Sequence, residues 1–267
     1  MPLGSLEQTI AEESCGEPWP RLECLWSSPP SVPNASSNEI HVWHIRLDVP
    51  LGQIQQLGRT LSQDEQLKAE RFHFDRHRRR YIASHGSLRE ILSRYLGSDP
   101  SQLQFTYSPL GKPSLASKIN SKKLCFNLSS SNELALCAIT LNRSIGVDIE
   151  HIRPNPDAES LAKHFFSPRE YNTINSFPPE QRQDVFYNLW TLKEAYLKAT
   201  GEGIGGLEKV EISISHRESQ VLHSINGKPQ TTRRWSIIQL LPERAYTAGL
   251  ALEGSVDHNY CFYNFEV

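Results

Sequence analysis

The sequence predicts an α+β fold built from two similar halves. Each half opens on a strand, continues through helices and closes on strands able to pair antiparallel. A strict alternation of strand and helix, the mark of a parallel sheet, is absent. The seam falls near Leu141–Ser144, giving an N-terminal half over 39–143 and a C-terminal half over 144–267. No residue-level repeat links the halves.

The elements follow in order. Residues 1–38 read as a tail, flexible in part, because Ser27 to Asn38 is rich in proline, serine and asparagine. Trp19, Leu22 and Trp26 offer the tail points of attachment, and an arm lying over the domain is the alternative. Ile40 to Leu47 reads as the first strand. Leu61 to Phe72 has a helical pattern with Ser62 as its cap. Arg76 to Leu96 is a longer helix, stopped by Gly97. Leu103 to Tyr107 and Leu124 to Leu128 read as strands, and Leu134 to Leu141 pairs with the latter as a hairpin. The second half starts on the strand Ile145 to Glu150, broken by Pro154 and Pro156. Helices are predicted at Ala158–Phe166, Ser167–Ile174 and Pro179–Thr200. Strands follow near Val210–Ser215, Trp235–Leu241, Tyr246–Leu252 and Cys261–Val267.

Composition narrows the class. The 267 residues are 38% hydrophobic and 22% charged, so a core can form. A net charge of -2 argues against a basic nucleic-acid binder, and any anion must be met by a local cluster. The five cysteines form no CxxC pair and read as reduced, structural thiols of a cytoplasmic protein. Met1 to Arg21 lacks a secretory pattern, and no stretch approaches the ~20 apolar residues of a membrane span. His41 and His44, three apart on a strand, point to opposite faces and read as structural.

Five segments carry chemistry. In Ile145-Gly146-Val147-Asp148-Ile149-Glu150 strand alternation sets Ile145, Val147 and Ile149 on the core side. Asp148 and Glu150 then stand together on the other face, beside a glycine. Their repulsion suits a hard divalent cation, although a solvent-facing strand edge has the same pattern. On a helix over 179–200, Val185, Leu189, Leu192 and Tyr196 share one face, and Trp190, Lys193, Glu194 and Lys198 share the opposite one. Glu194 and Lys198 fit an exposed i,i+4 pair or a ligand surface. Lys68 to Arg80 holds six Lys/Arg against two acids, a grip for phosphate or nucleic acid or a solvated face. Gly111-Lys112-Pro113 reads as a turn, and Phe126-Asn127-Leu128-Ser129-Ser130-Ser131 as a strand entering a hydroxyl-rich turn.

Taken together and in order, these segments resemble the Sfp-type 4′-phosphopantetheinyl transferases. IGVDIE at 145–150 and WTLKEAYLKATGEG at 190–203 carry the likeness, with FFSPREY at 165–171 between them and GKP and FNLSSS before them. The resemblance implies two pseudo-twofold lobes with a coenzyme A cleft between. It implies transfer of phosphopantetheine from coenzyme A to a serine of an acyl or peptidyl carrier protein, with Mg²⁺, or Mn²⁺ in its place, as cofactor. Asp148, Glu150 and Glu194 match the metal-binding acids, and Glu194 and Lys198 match the catalytic pair. Lys68 and Arg80 match contacts to the 3′-phosphate, Lys112 and Pro113 the segment along the adenine. Ser129 and Ser130 fall at the phosphates, and Lys193 at a further fixed position of the helix motif. A monomer without nucleic-acid or membrane partners is expected. Two positions depart from the family: Ser130 stands where histidine is usual, and Glu65 where a basic residue is common. They motivate the alternative of a weak or silent homologue that binds coenzyme A or carrier protein.

Overall fold

The computed structural model describes residues 21–155, 157–213, 221–225, 227–229, 234–254 and 259–267. In chain order the strands and helices are β1 (Leu22–Glu23), β2 (Glu39–Arg46), α1 (Leu51–Gly58), α2 (Gln63–Glu70) and α3 (Asp75–Leu96). Then come β3 (Phe105–Tyr107), β4 (Pro113–Leu115), β5 (Leu124–Ser131), β6 (Leu134–Leu141) and β7 (Ile145–His151). Helices α4 (Ala158–Phe165), α5 (Pro168–Ser176) and α6 (Pro179–Thr200) follow. Strands β8 (Val210–Ser213), β9 (Val221–Ile225), β10 (Lys228–Pro229), β11 (Trp235–Leu241), β12 (Tyr246–Glu253) and β13 (Asn259–Asn264) complete the set. Mixed helix and sheet agrees with the predicted class. Helix α1 was not read from the sequence, where only Ile54 and Leu57 supply its buried side.

Two four-stranded sheets dominate, ordered β13-β2-β6-β5 and β1-β11-β12-β7. They pack face to face. Alternation aims Ile40, Val42 and Leu136 of the first sheet at Val147, Ile149 and Leu250 of the second, and all six are buried. The outer face of the first sheet, with Trp43 and Ile45, packs on α1 and α3. The outer face of the second, with Ile237 and Ala251, packs on α6. Helices α4 and α5 and strand β8 lie on the far side of α6.

The chain crosses between the sheets at both ends. Strand β13, assigned by sequence to the C-terminal half, runs parallel to β2 in the first sheet, with Cys261 opposite His41. Strand β1 runs parallel to β11 in the second. The expected tail is therefore docked from Arg21 onward. Cys24 and Ala35 are buried, and Trp26 Nε1 donates to the Pro242 carbonyl at 2.7 Å. Residues 1–20, which include Trp19, lie outside the described residues.

Helix α6 departs most from its sequence reading. The face carrying Lys193 and Glu194 is not solvated, and the helix is buried on almost every side over 185–199. A third face of small residues, Thr191, Ala195 and Ala199, lies on β7 and β12 over two glycines. A β-carbon on Gly146 would fall 2.1 Å from the Ala195 carbonyl oxygen and 2.4 Å from the Ala199 nitrogen. One on Gly249 would fall 2.4 Å from the Thr191 oxygen. Glycine lets backbone approach backbone there. Lys193 is wholly buried, its ammonium 2.7 Å from a Glu170 oxygen and beneath the Phe166 ring.

Gly146→Ala is expected to cost stability at or beyond the top of the roughly 1–3 kcal/mol typical of overpacking, because fixed backbone blocks the methyl. Gly52→Ala in α1 meets nothing within 4 Å and is expected to leave the melting point equal or higher. Denaturant melts of both variants make the check. Equal stability for Gly146→Ala and wild type would mean that α6 is not seated on β7 as described.

Candidate active site

The site begins on the edge of β7. Gly146, Asp148 and Glu150 share the face under α6, as alternation requires. Beside β7 runs β5, which reaches Ser131, so the predicted hydroxyl-rich turn is strand instead. Its alternate residues join the sheets through side chains. Asn127 Oδ1 accepts from the Val147 nitrogen at 2.9 Å, and Ser129 Oγ donates to Asp148 Oδ1 at 2.9 Å. Ser131 Oγ donates to Glu150 Oε2 at 2.7 Å and accepts from the His151 nitrogen at 3.1 Å. Ser131 and Asn127 went unassigned in the sequence, although the same period-two pattern names both.

From above, α6 brings Glu194 and Lys198 to the same place, one turn apart. Lys198 does not fold back onto Glu194 as an exposed pair would. Its ammonium donates to Asp148 Oδ1 at 2.5 Å and to Ser129 Oγ at 2.8 Å. Asp148 Oδ2 is buried and meets no hydrogen-bond partner among the described residues. Burial and the Asp148 and Glu150 charges push the Glu194 carboxyl up to about 7, against the pull of Lys198. Burial and Asp148 also raise Glu150. Three carboxylates with one ammonium leave excess negative charge at a half-enclosed place. An unpartnered buried oxygen among oxygen-only donors fits a hard divalent cation such as Mg²⁺.

Two cavities meet at Ser130, and the first reaches the acids through Glu150. One, of about 780 Å³, is bounded by Arg80, Ser130, Glu150, His151 and Trp190. The other, of about 770 Å³, is bounded by Lys68, Arg89, Tyr107, Pro113 and Ser129. Ser130 and His85 border both, with His85 stacked on Tyr81 at 3.9 Å. A smaller cleft of about 260 Å³ joins Lys112 and Pro113 to Glu194 and Lys198.

Asp148, Glu150, Glu194, Lys198, Ser129 and Ser130 are thus brought together. Four other positions behave differently. Lys193, expected to bind the cosubstrate, has no access to any of these cavities. It is a buried structural ion pair with Glu170, whose second oxygen accepts from the Ile212 nitrogen at 2.9 Å. Arg80 opens onto a different cavity from Lys68. Its guanidinium is held by both Asp48 oxygens at 2.6 Å and by Asn132 at 2.9 Å. Lys112 spends its ammonium on the Ala199 and Ile145 carbonyls at 2.5 and 3.2 Å, tying the end of α6 to β7. Glu65 is not a lost phosphate contact. It closes the α2 capping box with Ser62 and pairs with buried Arg89 at 2.7 Å. Four arginines of the basic run share two aspartates, Arg78 and Arg79 on Asp75 and Arg76 and Arg80 on Asp48, so the run keeps an excess of positive charge.

Comparison with known proteins reaches the same residues. The family model described as the 4′-phosphopantetheinyl transferase superfamily matches residues 144–251. One described as 4′-phosphopantetheinyl transferase, N-terminal, matches residues 50–142. The chain is 46% identical to the 4′-phosphopantetheinyl transferase HetI of Nostoc sp. over 87% of its own length and 95% of that protein. It is 36% identical to the 4′-phosphopantetheinyl transferase psf-1 of Bacillus pumilus, over 61% and 68% of the two chains. With Sfp of Bacillus subtilis the identity is 28%, over 67% and 79%. On these matches, and on the paired acid motifs of β7 and α6, the chain belongs to the 4′-phosphopantetheinyl transferase superfamily.

Proposed function

We propose that this chain transfers the 4′-phosphopantetheine group of coenzyme A to a serine of an acyl or peptidyl carrier protein. The observation that supports this best is the meeting of Asp148, Glu150, Glu194 and Lys198 between the cavities, with Asp148 Oδ2 unpartnered. Asp148, Glu150 and Glu194 are the residues that would hold Mg²⁺. When bound, the ion supplies neutralising charge for the pyrophosphate.

The rest is done by the chain. Lys198 stands 2.5 Å from Asp148 and turns its charge toward phosphates lying beside Ser129. The carrier serine oxygen forms a bond to the β-phosphorus as the bridging P–O bond to adenosine 3′,5′-bisphosphate breaks. The hydroxyl proton passes to a base at the acids, and Glu194 is the candidate, directly or through a water. Lys68, exposed at the mouth of its cavity over the Tyr81 ring, is placed to meet the 3′-phosphate. Pro113 and the Lys112 stem border the path toward the adenine.

Three outcomes follow. Asp148→Ala is expected to fold, because Asp148 faces away from the apolar side of β7 made by Ile145, Val147 and Ile149, and to lose transfer by roughly 10²–10³-fold. Intact mass of a carrier protein incubated with coenzyme A, across a Mg²⁺ titration, makes the measurement. Wild-type rates in the variant at limiting Mg²⁺ would remove Asp148 from the site. Wild-type enzyme that adds no mass to any carrier would leave a silent homologue.

Lys68→Ala is expected to raise KM for coenzyme A about fivefold, the ~1 kcal/mol of an exposed contact. KM for dephospho-coenzyme A, which lacks the 3′-phosphate, should be unchanged. Arg80→Ala should weaken both equally, since it frees Asp48 and Asn132 rather than one phosphate.

Glu194 has a raised folded-state pKa, so its stabilising protonated form is fully present below the ordinary value near 4.5 and is lost as pH rises through about 7. Metal-free wild type should therefore lose melting temperature relative to Glu194→Gln between pH 5 and 8. Mg²⁺ at the upper pH should recover more of it in wild type than in the variant. A gap between the two that ignores pH would count against this carboxyl as described.

A further inference from the structure

We propose a second metal site, distant from the carboxylates of the cleft, formed by Glu39, His41 and Cys261 and suited to Zn²⁺. Glu39 and His41 lie two apart on β2 and so share a face. Cys261 on β13 is the register partner of His41. One ligand atom from each of the three residues lies within 4.8 Å of the other two. His41 Nε2 is already 3.7 Å from Glu39 Oε2. Tetrahedral zinc, with bonds of about 2.0–2.3 Å, sets its ligand atoms about 3.3–3.6 Å apart, so a small rotation of Cys261 completes the set.

Each donor is backed by an outer partner, as metal ligands commonly are. The Tyr95 hydroxyl lies 2.6 Å from His41 Nδ1, and Trp43 Nε1 donates to the same oxygen at 2.9 Å. A tyrosine oxygen has two lone pairs. It can therefore accept from Trp43 and from Nδ1–H together, which leaves the Nε2 lone pair facing Glu39 and Cys261. The Ser36 nitrogen donates to Glu39 Oε2 at 2.8 Å, and Tyr263 stands beside Cys261 on the same face of β13. His41 is buried, whereas Glu39 and Cys261 are part-exposed, so an ion can enter from that side.

The donor types separate this place from the cleft. Thiolate, imidazole and one carboxylate favour Zn²⁺ over Mg²⁺, and a fourth position remains for water. The sequence reading of His41 as structural set it only against His44, on the opposite face of the strand. The partner comes instead from a strand about 220 residues later, which local spacing cannot show. Occupied, the site would clip β13 to β2.

Cobalt(II) is the probe, added to full-length reduced protein in excess Mg²⁺ so that the oxygen ligands of the cleft compete poorly. Wild type is expected to bind one Co²⁺ with a thiolate charge-transfer absorption in the near ultraviolet. Cys261→Ser should lose that absorption and weaken Zn²⁺, measured by chelator competition, at least about tenfold. Glu39→Gln, at a part-exposed position that is safe for folding, should weaken Zn²⁺ binding without removing the absorption. Cys125→Ser, at the other part-exposed thiol among the described residues, should keep both, and Asp148→Ala should keep both whatever becomes of transfer. Zn²⁺ should raise the melting temperature of wild type and not of Cys261→Ser. No thiolate absorption in wild type, or its loss in Cys125→Ser rather than Cys261→Ser, would overturn the proposal.

Discussion

The seating of α6 on bare backbone governs everything around it. Gly146 and Gly249 remove the two side chains that would hold the helix off β7 and β12. Only at that distance can Lys198 reach Asp148, and only there do the β7 carboxylates raise the pKa of Glu194. The underside of the helix is small for the same reason, with Thr191, Ala195 and Ala199 where larger residues would normally pack. The acids are held together against their own repulsion by the surrounding packing.

Side-chain bonds at the join of the two sheets serve the same end. The edges of β5 and β7 meet without a backbone ladder. Asn127, Ser129 and Ser131 take its place with four bonds, two of which end on the acids of the site. Structure and chemistry therefore share the same hydroxyls. Ser129 orients Asp148 while contacting Lys198, so its loss would disturb the acid and the ammonium together. Lys112 belongs to this framework as well, bridging the end of α6 and the start of β7 through two carbonyls.

What could be read in advance was local. Period two along 145–150 placed Asp148 and Glu150 on one face, and Ser62 and Gly97 marked helix ends where caps are observed. Reading failed where a residue answers to something far along the chain. Lys193 has the spacing of a site residue, but Glu170 captures it on the opposite side of the helix. Glu65 appeared to be a missing cation, yet Arg89 and the Ser62 cap explain it fully. Arg80 is claimed by Asp48, 32 residues earlier. Charged residues have no periodicity that names their partner, whereas apolar residues on strands do. The position of β13 shows the same limit for backbone, since nothing in its own sequence selects β2 over a neighbour in the second sheet.

That crossing of β13 has a bearing on synthesis. The first sheet takes one of its two outer strands from residues 259–264, which are made long after its other three strands. A nascent chain holding the whole N-terminal half still presents the open hydrogen-bonding edge of β2, with Glu39 and His41 along it. Open edges invite pairing with other chains. Truncation before β13 would therefore expose a strand made early rather than fray one made late. A ribosome-arrested chain ending before Asn259 is the form in which self-association should first appear.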